Sequence, residues 1–372
     1  MTKHKSLICL LSIICIVTGM RAVYDARAAE AKSIVIQNKK KPTPPIGTLV
    51  HFQYKEEMAI IDDDRYKEPL FSQISSLDID DKENIYLLDM KACNILVFDK
   101  EGRLVRKIGS KGQGPGELML PVSISMYTDS AFIVYDVGTS HINRYSLDGQ
   151  YLSQWNASLL GERLMRIVPD SLGGFYGLLG GIGDKISRRL IRLDREMKPL
   201  LIIGEISFPR TGNNFSQFFE PAIFFTTYKG DKMIWGQWHN YELIIVEADG
   251  TIDKRIAKDY LPLKTSKRDK DSEIFARYGK EGLPQGVTAV FPKYLPAFRF
   301  IAADDDGRIY VRTFEKTSDD MNIYDVYNSD GVYIAKIPLP HHPAAMKKNK
   351  FYIIDADNEG RQSIKRYGYE WK

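Results

Sequence analysis

A short apolar block recurs six times along this 372-residue chain, and that recurrence restricts the fold more than any other feature. It stands as Asn84-Ile85-Tyr86-Leu87-Leu88-Asp89 and again as Ala131-Phe132-Ile133-Val134-Tyr135-Asp136. Shorter copies begin at Phe175, Met233, Ile309 and Phe351. Counted from Ile85 through Phe132 and onward, successive anchors lie 47, 43, 58, 76 and 42 residues apart. Three of these intervals match one four-stranded propeller blade, and two carry insertions. Gly102, Gly149 and Gly250 each stand 17 residues after their anchor, and Gly331 stands 22 after Ile309. A tight hairpin turn needs positive φ, which glycine adopts at little steric cost. The third copy has Asp194-Arg195-Glu196-Met197-Lys198 there, a degenerate turn without glycine.

Each unit reads as four short antiparallel strands, in the first unit about 75–80, 84–89, 94–99 and 103–108, separated by polar turns. Only the charged run at about 264–280 suggests a helix. A hydrophobic content of 44%, with 21 Tyr and 17 Phe, suits a strand-rich chain with a sizeable core. One four-stranded sheet cannot bury both faces, so six units call for a closed ring rather than two separate β-domains. The expected fold is all-β: a six-bladed β-propeller of four-stranded antiparallel blades. About 22 residues remain from Phe351, so the last blade is short. A strand from Ser33–Gln37 or from Gly47–Tyr54 is expected to complete it and remove an exposed edge. The expected organisation is a signal peptide at 1–28, an N-terminal linker at 29–46 and the propeller at 47–372, with an insertion at about 258–298.

The N-terminus reads as an export signal. Lys3, His4 and Lys5 precede an apolar stretch from Leu7 to Val17 broken only by Ser12, and Ala26-Arg27-Ala28 offers a cleavage pattern. An uncleaved anchor is the alternative. Neither Cys9 nor Cys15 has the small preceding residue that lipidation requires. Removing residues 1–28 takes away Lys3, Lys5, Arg21, Arg27 and Asp25, so the net charge falls from +4 to about +1. That balance argues against nucleic acid as a partner. Cys93 is then the single cysteine, which excludes an internal disulfide and a Cys-based zinc site. The expected product is a monomer in the periplasm, on the cell surface or secreted, and not an integral membrane protein after cleavage.

The segment Ile108-Gly109-Ser110-Lys111-Gly112-Gln113-Gly114-Pro115-Gly116-Glu117-Leu118, followed by Pro121, resembles the inter-blade linker of NHL-like six-bladed β-propellers. The preceding NIYLLD and ILVFDKEG blocks resemble the NHL repeat, and Phe219-Glu220-Pro221 is a weak echo of the linker. With the signal peptide, the pattern is similar to a large family of exported bacterial six-bladed β-propeller proteins. That resemblance implies the fold and little about activity. A phosphate-cradling loop would need a helix after the glycines, whereas a proline and a strand follow here.

Loops between second and third strands, and between blades, share one face of a propeller, and here they hold the insertions. His141, Trp238, His239, Arg299, His341 and His342 map to that long-loop face. Trp238 could stack on a sugar or pack between blades, and Arg299, between Phe298 and Phe300, could bind a carboxylate. His141 and His239 are the candidate metal ligands, for zinc or calcium, although His141 falls in the slot that Asn94 fills in the first unit. Zinc needs three protein ligands around one point. Asp62-Asp63-Asp64 and Asp304-Asp305-Asp306 resemble calcium bait, but the second precedes Gly307 and reads as turn chemistry. There is no Ser–His–Asp order, HExxH or CxxC. The expected function is a non-enzymatic binding module, without a cofactor, engaging a protein, peptide or glycan through the long-loop face. The alternative implied by the resemblance is a metal-dependent lyase or hydrolase of the NHL or lactonase type.

Overall fold

The computed structural model describes residues 33–62, 70–210, 212, 214–238, 240–357 and 359–372. Six four-stranded antiparallel sheets form the ring of a β-propeller. Blade 1 holds Ile74–Ile79, Ile85–Asp89, Asn94–Phe98 and Leu104–Ile108, and blade 2 holds Pro121–Thr128, Ala131–Asp136, His141–Ser146 and Tyr151–Asn156. Blade 3 holds Arg163–Pro169, Phe175–Ile182, Lys185–Leu193 and Pro199–Pro209, and blade 4 holds Ile223–Tyr228, Lys232–Gln237, Glu242–Val246 and Ile252–Lys258. Blade 5 holds Phe300–Ala303, Ile309–Lys316, Asn322–Tyr327 and Tyr333–Leu339. Blade 6 holds Ala345–Lys347, Lys350–Ala356 and Gln362–Trp371, with Phe52–Ile61 as its outermost strand.

All six repeat anchors lie in second strands. A second strand is flanked by strands on both edges and by neighbouring blades on both faces, so every residue of Ile85–Asp89 and Ala131–Asp136 is buried. That is why the repeat reads as an unbroken apolar run rather than an alternating one. The aspartate ending each run has its own task. Asp89 accepts hydrogen bonds from the backbone N–H groups of Ser72, Gln73 and Ala92, and Asp136 from those of Met119, Leu120, Gly138 and Thr139. Each carboxylate thereby ties the incoming inter-blade linker to its blade and satisfies buried donors.

The hairpin glycines Gly102, Gly149, Gly250 and Gly331 have φ between 80° and 96°. In blade 3, Met197 adopts φ 64° at the equivalent turn, so the backbone shape persists without glycine. The glycine-rich linker is built by its own sequence. Glu117 folds back to accept the Gly114 N–H at 2.8 Å, and a Cβ on Gly112 would lie 2.0 Å from the Glu117 carboxylate. Leu118 is fully buried beneath it. This is a staple between blades 1 and 2. Asp304 is a turn residue as expected, its Oδ1 accepting from the Arg308 N–H.

The N-terminal segment makes two attachments. Phe52–Ile61 pairs antiparallel with the C-terminal strand, from Phe52 opposite Trp371 to Ile61 opposite Ser363, and closes the ring. Ile34–Asn38 instead adds a fifth, parallel strand to blade 4, with Ile34 opposite Lys254. Asn38 then clips blade 5, donating to the Gly331 carbonyl and accepting from the Tyr333 N–H. Between blades 4 and 5, Asp325 is fully buried and receives Lys258 Nζ at 2.6 Å together with the hydroxyls of Tyr241 and Tyr333.

The connection 259–299 folds and docks. Ser266 and Asp269 form a reciprocal capping box on the helix Lys267–Tyr278. Thr288–Val290 pairs in parallel with Phe215–Gln217 from the blade 3–4 connection. Phe218 stacks on Phe291 at 4.5 Å, and Phe219 meets Phe314 of blade 5 at 5.4 Å. The end of the connection re-enters the core, where Ala297 and Phe298 join the cluster between blades 4 and 5.

Candidate functional site

Two concavities stand out. On the long-loop side, a cleft of about 430 Å³ lies where the docked insertion meets blades 4 and 5. Tyr241, Tyr260, Leu261, Leu263, Pro296 and Phe314 give it apolar and aromatic walls. Lys258 stands among these walls, its ammonium 4.7 Å from the Tyr241 ring and bound to Asp325. Lys336 pairs with Glu315 at 2.7 Å, while Lys40 and Lys41 have no ion pair among the described residues. The cleft therefore combines apolar walls with a predominantly cationic rim.

The second concavity is the central channel, of about 570 Å³, lined by the first strand of every blade. Each first strand has a partner on one edge only, so its other edge faces the axis with unpaired backbone groups. Side chains of one blade satisfy the edge of the next. Ser76 Oγ accepts the Ile124 N–H, Asp78 accepts the Met126 N–H, and Arg166 donates to the Phe225 carbonyl. Burial pushes the Asp78 carboxyl upward, against the lowering effect of the Met126 and Ile79 N–H donors and the nearby Lys347.

The candidate residues divide by sector. His141 opens the third strand of blade 2, half-buried and opposite Asp136 and Asn156. His239 lies outside the described residues, as do Asp63 and Asp64. Trp238 bonds through its backbone to Ala222 and Ala297, where the two connections rejoin the ring ahead of blades 4 and 5. Arg299 pairs with Glu273 of the insertion helix at 3.3 Å and lies over the Phe314 ring. His341 contacts Asp355 at 3.1 Å. His342 packs edge-on to Phe300. Thus Arg299, His341 and His342 gather on blades 5 and 6, joined by Arg312, which the sequence did not single out. Among the described residues, no group of three His, Cys, Asp or Glu is placed to hold a metal ion.

Partial burial, and then the positive charges of Arg312, Arg299 and His341, push His342 from 6.5 down to about 4. The residue is nevertheless exposed, so solvent screens much of the associated energy. With the folded value below the unfolded one, the unfolded chain takes up the proton first. Stability therefore declines as pH falls from 6.5 towards 4. In an NMR titration, His342 should stay neutral at pH 6, and Arg299→Gln should move its midpoint upward. A midpoint near 6.5 in the parent protein would contradict this arrangement.

The fold defines the class: the chain is a six-bladed β-propeller, and a family model described as "6-bladed beta-propeller" matches residues 64–209. Among solved structures, it is similar to a Bacteroides fragilis NCTC 9343 protein provisionally described as exported, at 12% identity and TM-score 0.56, covering 91% of this chain and 99% of that one. It is also similar to a member of the DUF4221 family from Bacteroides vulgatus, at 12% identity and TM-score 0.52, covering 87% and 100%. At these identities the likeness establishes the fold alone. No curated protein sequence matches the chain.

Proposed function

We propose that the chain is an exported binding module that engages a protein, peptide or glycan through its long-loop face, at the cleft between the docked insertion and blades 4 and 5. The insertion carries this reading. It is folded and anchored, yet its helix has no buried residue. Phe275 is 59% exposed and Leu261 66%, with Phe215, Leu263 and Tyr294 also exposed across the two connections. Large apolar side chains held on an ordered element contribute little to the chain's own core, and they suit contact with a partner. The cleft beside them supplies aromatic walls and a polar rim, the composition of a recognition surface.

Export rests on the reading of residues 1–28 as a signal, with a monomeric propeller of residues 47–372 acting in the periplasm or at the cell surface. Among the described residues, no helix is long and apolar enough to cross a membrane.

The structure shapes the test. Leu295 to Phe298 must be kept, because Ala297 and Phe298 are core residues. Replacing 264–291 with a Gly/Ser linker, together with Phe218→Ser because the deletion uncovers this otherwise buried stacking partner of Phe291, should leave cooperative unfolding intact. It should abolish the partners or glycans captured by the parent protein. Lys40→Glu with Lys41→Glu, on the exposed rim, should weaken the same capture without touching the core. Unchanged capture by both folded variants would overturn the reading.

A further inference from the structure

Arg166 projects from the first strand of blade 3 into the central channel. Its Nη1 donates to the Phe225 carbonyl at 2.8 Å, and its guanidinium lies 4.6 Å from the Phe225 ring. No carboxylate pairs with it among the described residues. Desolvation lowers it to about 10, so it remains cationic at neutral pH. A guanidinium offers five N–H donors in a fixed fork, and one bond to a carbonyl leaves the others without a protein acceptor. An enclosed cation without a counterion is costly, and an anion that fits the fork relieves that cost.

The flanking strands add hydroxyls. Ser123 and Ser125 on blade 2, and Thr226 and Thr227 on blade 4, line the same channel on either side of blade 3. None of the four makes a side-chain hydrogen bond to the protein among the described residues, in contrast to Ser76, which caps the Ile124 N–H. One unpaired guanidinium set between two pairs of unpartnered hydroxyls suits a ligand with one negative group and several hydroxyls. The volume of about 570 Å³ lies within the usual range of small-molecule sites.

We propose that the central channel binds a small hydroxylated carboxylate of the sugar-acid class, with the carboxylate on Arg166 and the hydroxyls on Ser123, Ser125, Thr226 and Thr227. This site is separate from the insertion cleft and does not rest on the function proposed above.

Calorimetric titration of the folded chain, residues 29–372, tests it with galacturonate, the neutral sugar galactose and inorganic phosphate. Galacturonate should bind, and galactose should bind at least about tenfold more weakly, because the charge-assisted bond is lost. Arg166→Gln should reduce galacturonate affinity by a similar factor. Because Arg166 also caps the blade 4 edge, a second variant, Ser125→Ala with Thr226→Val, should weaken galacturonate several-fold while leaving phosphate unchanged. Replacement of the 264–291 insertion should leave channel affinity unaltered, so failure of one site is distinguishable from failure of the other. Equal binding of galacturonate and galactose would overturn the assignment of the carboxylate to Arg166. Phosphate binding as tight as galacturonate, insensitive to the hydroxyl variant, would overturn the sugar-acid class.

Discussion

A chain that begins at residue 70 will fail to unfold cooperatively, because it has no outermost strand for blade 6. Phe52–Ile61 contributes a ladder from Phe52–Trp371 to Ile61–Ser363. It also brings Ile60 into the cluster of blades 6 and 1, and Phe52 and Tyr54 against Tyr367, Tyr369 and Trp371. A fully buried large apolar side chain contributes roughly 1.5–3 kcal/mol. Ile60 loses most of that on deletion, Phe52, Tyr54 and Met58 lose part, and the C-terminal aromatics are uncovered as well. The sum reaches the about 5–15 kcal/mol that holds a whole domain together. Near-UV circular dichroism and calorimetry should show a loose, non-cooperative state. A truncated protein melting within a few degrees of the parent would refute the closing role of this strand.

Substitution of Asp325 by Ala should cost about 3–5 kcal/mol, the penalty typical of a buried charge left without its partner. Lys258 would then sit 7% exposed between the Tyr241 and Tyr333 rings, with no carboxylate to receive it. Two tyrosine hydroxyls would lose the same acceptor. The double variant Asp325→Ala with Lys258→Met should recover much of that loss, since it removes the stranded charge along with the pair. Urea unfolding of the two variants measures both effects. A loss below about 1 kcal/mol for the single change would show that the pair is replaceable by solvent.

The blades were legible in the sequence because the second strands and hairpin turns are local. Ile85–Asp89 declares itself by burial on both faces, and the turns by side chains that cap their own backbone, as Asp99 does for Arg103. The N-terminal partners were harder to read, because pairing across the chain has no local signature. Two segments were eligible to complete blade 6. The completing strand, Phe52–Ile61, overlaps only the end of Gly47–Tyr54, and Ile34–Asn38 joins blade 4. The cleft was visible only as an insertion of unusual length. The channel residues have no such signature, because Ser123, Ser125, Thr226 and Thr227 sit in first strands like any other strand hydroxyls. A signal was nevertheless present: Arg166 is a charge between Leu164 and Ile167, in a stretch that the repeat spacing assigns to a first strand.

Ring closure also bears on when such a chain is finished. Its final ladder joins residues some 311 positions apart, as in the Tyr367–Glu56 contact. Pairing so distant in sequence forms slowly. During synthesis the closing strand emerges near the beginning and its partner at the end. The architecture thus delays its own completion until the C-terminal strand has been made, so the ring is the last part of the molecule to be sealed.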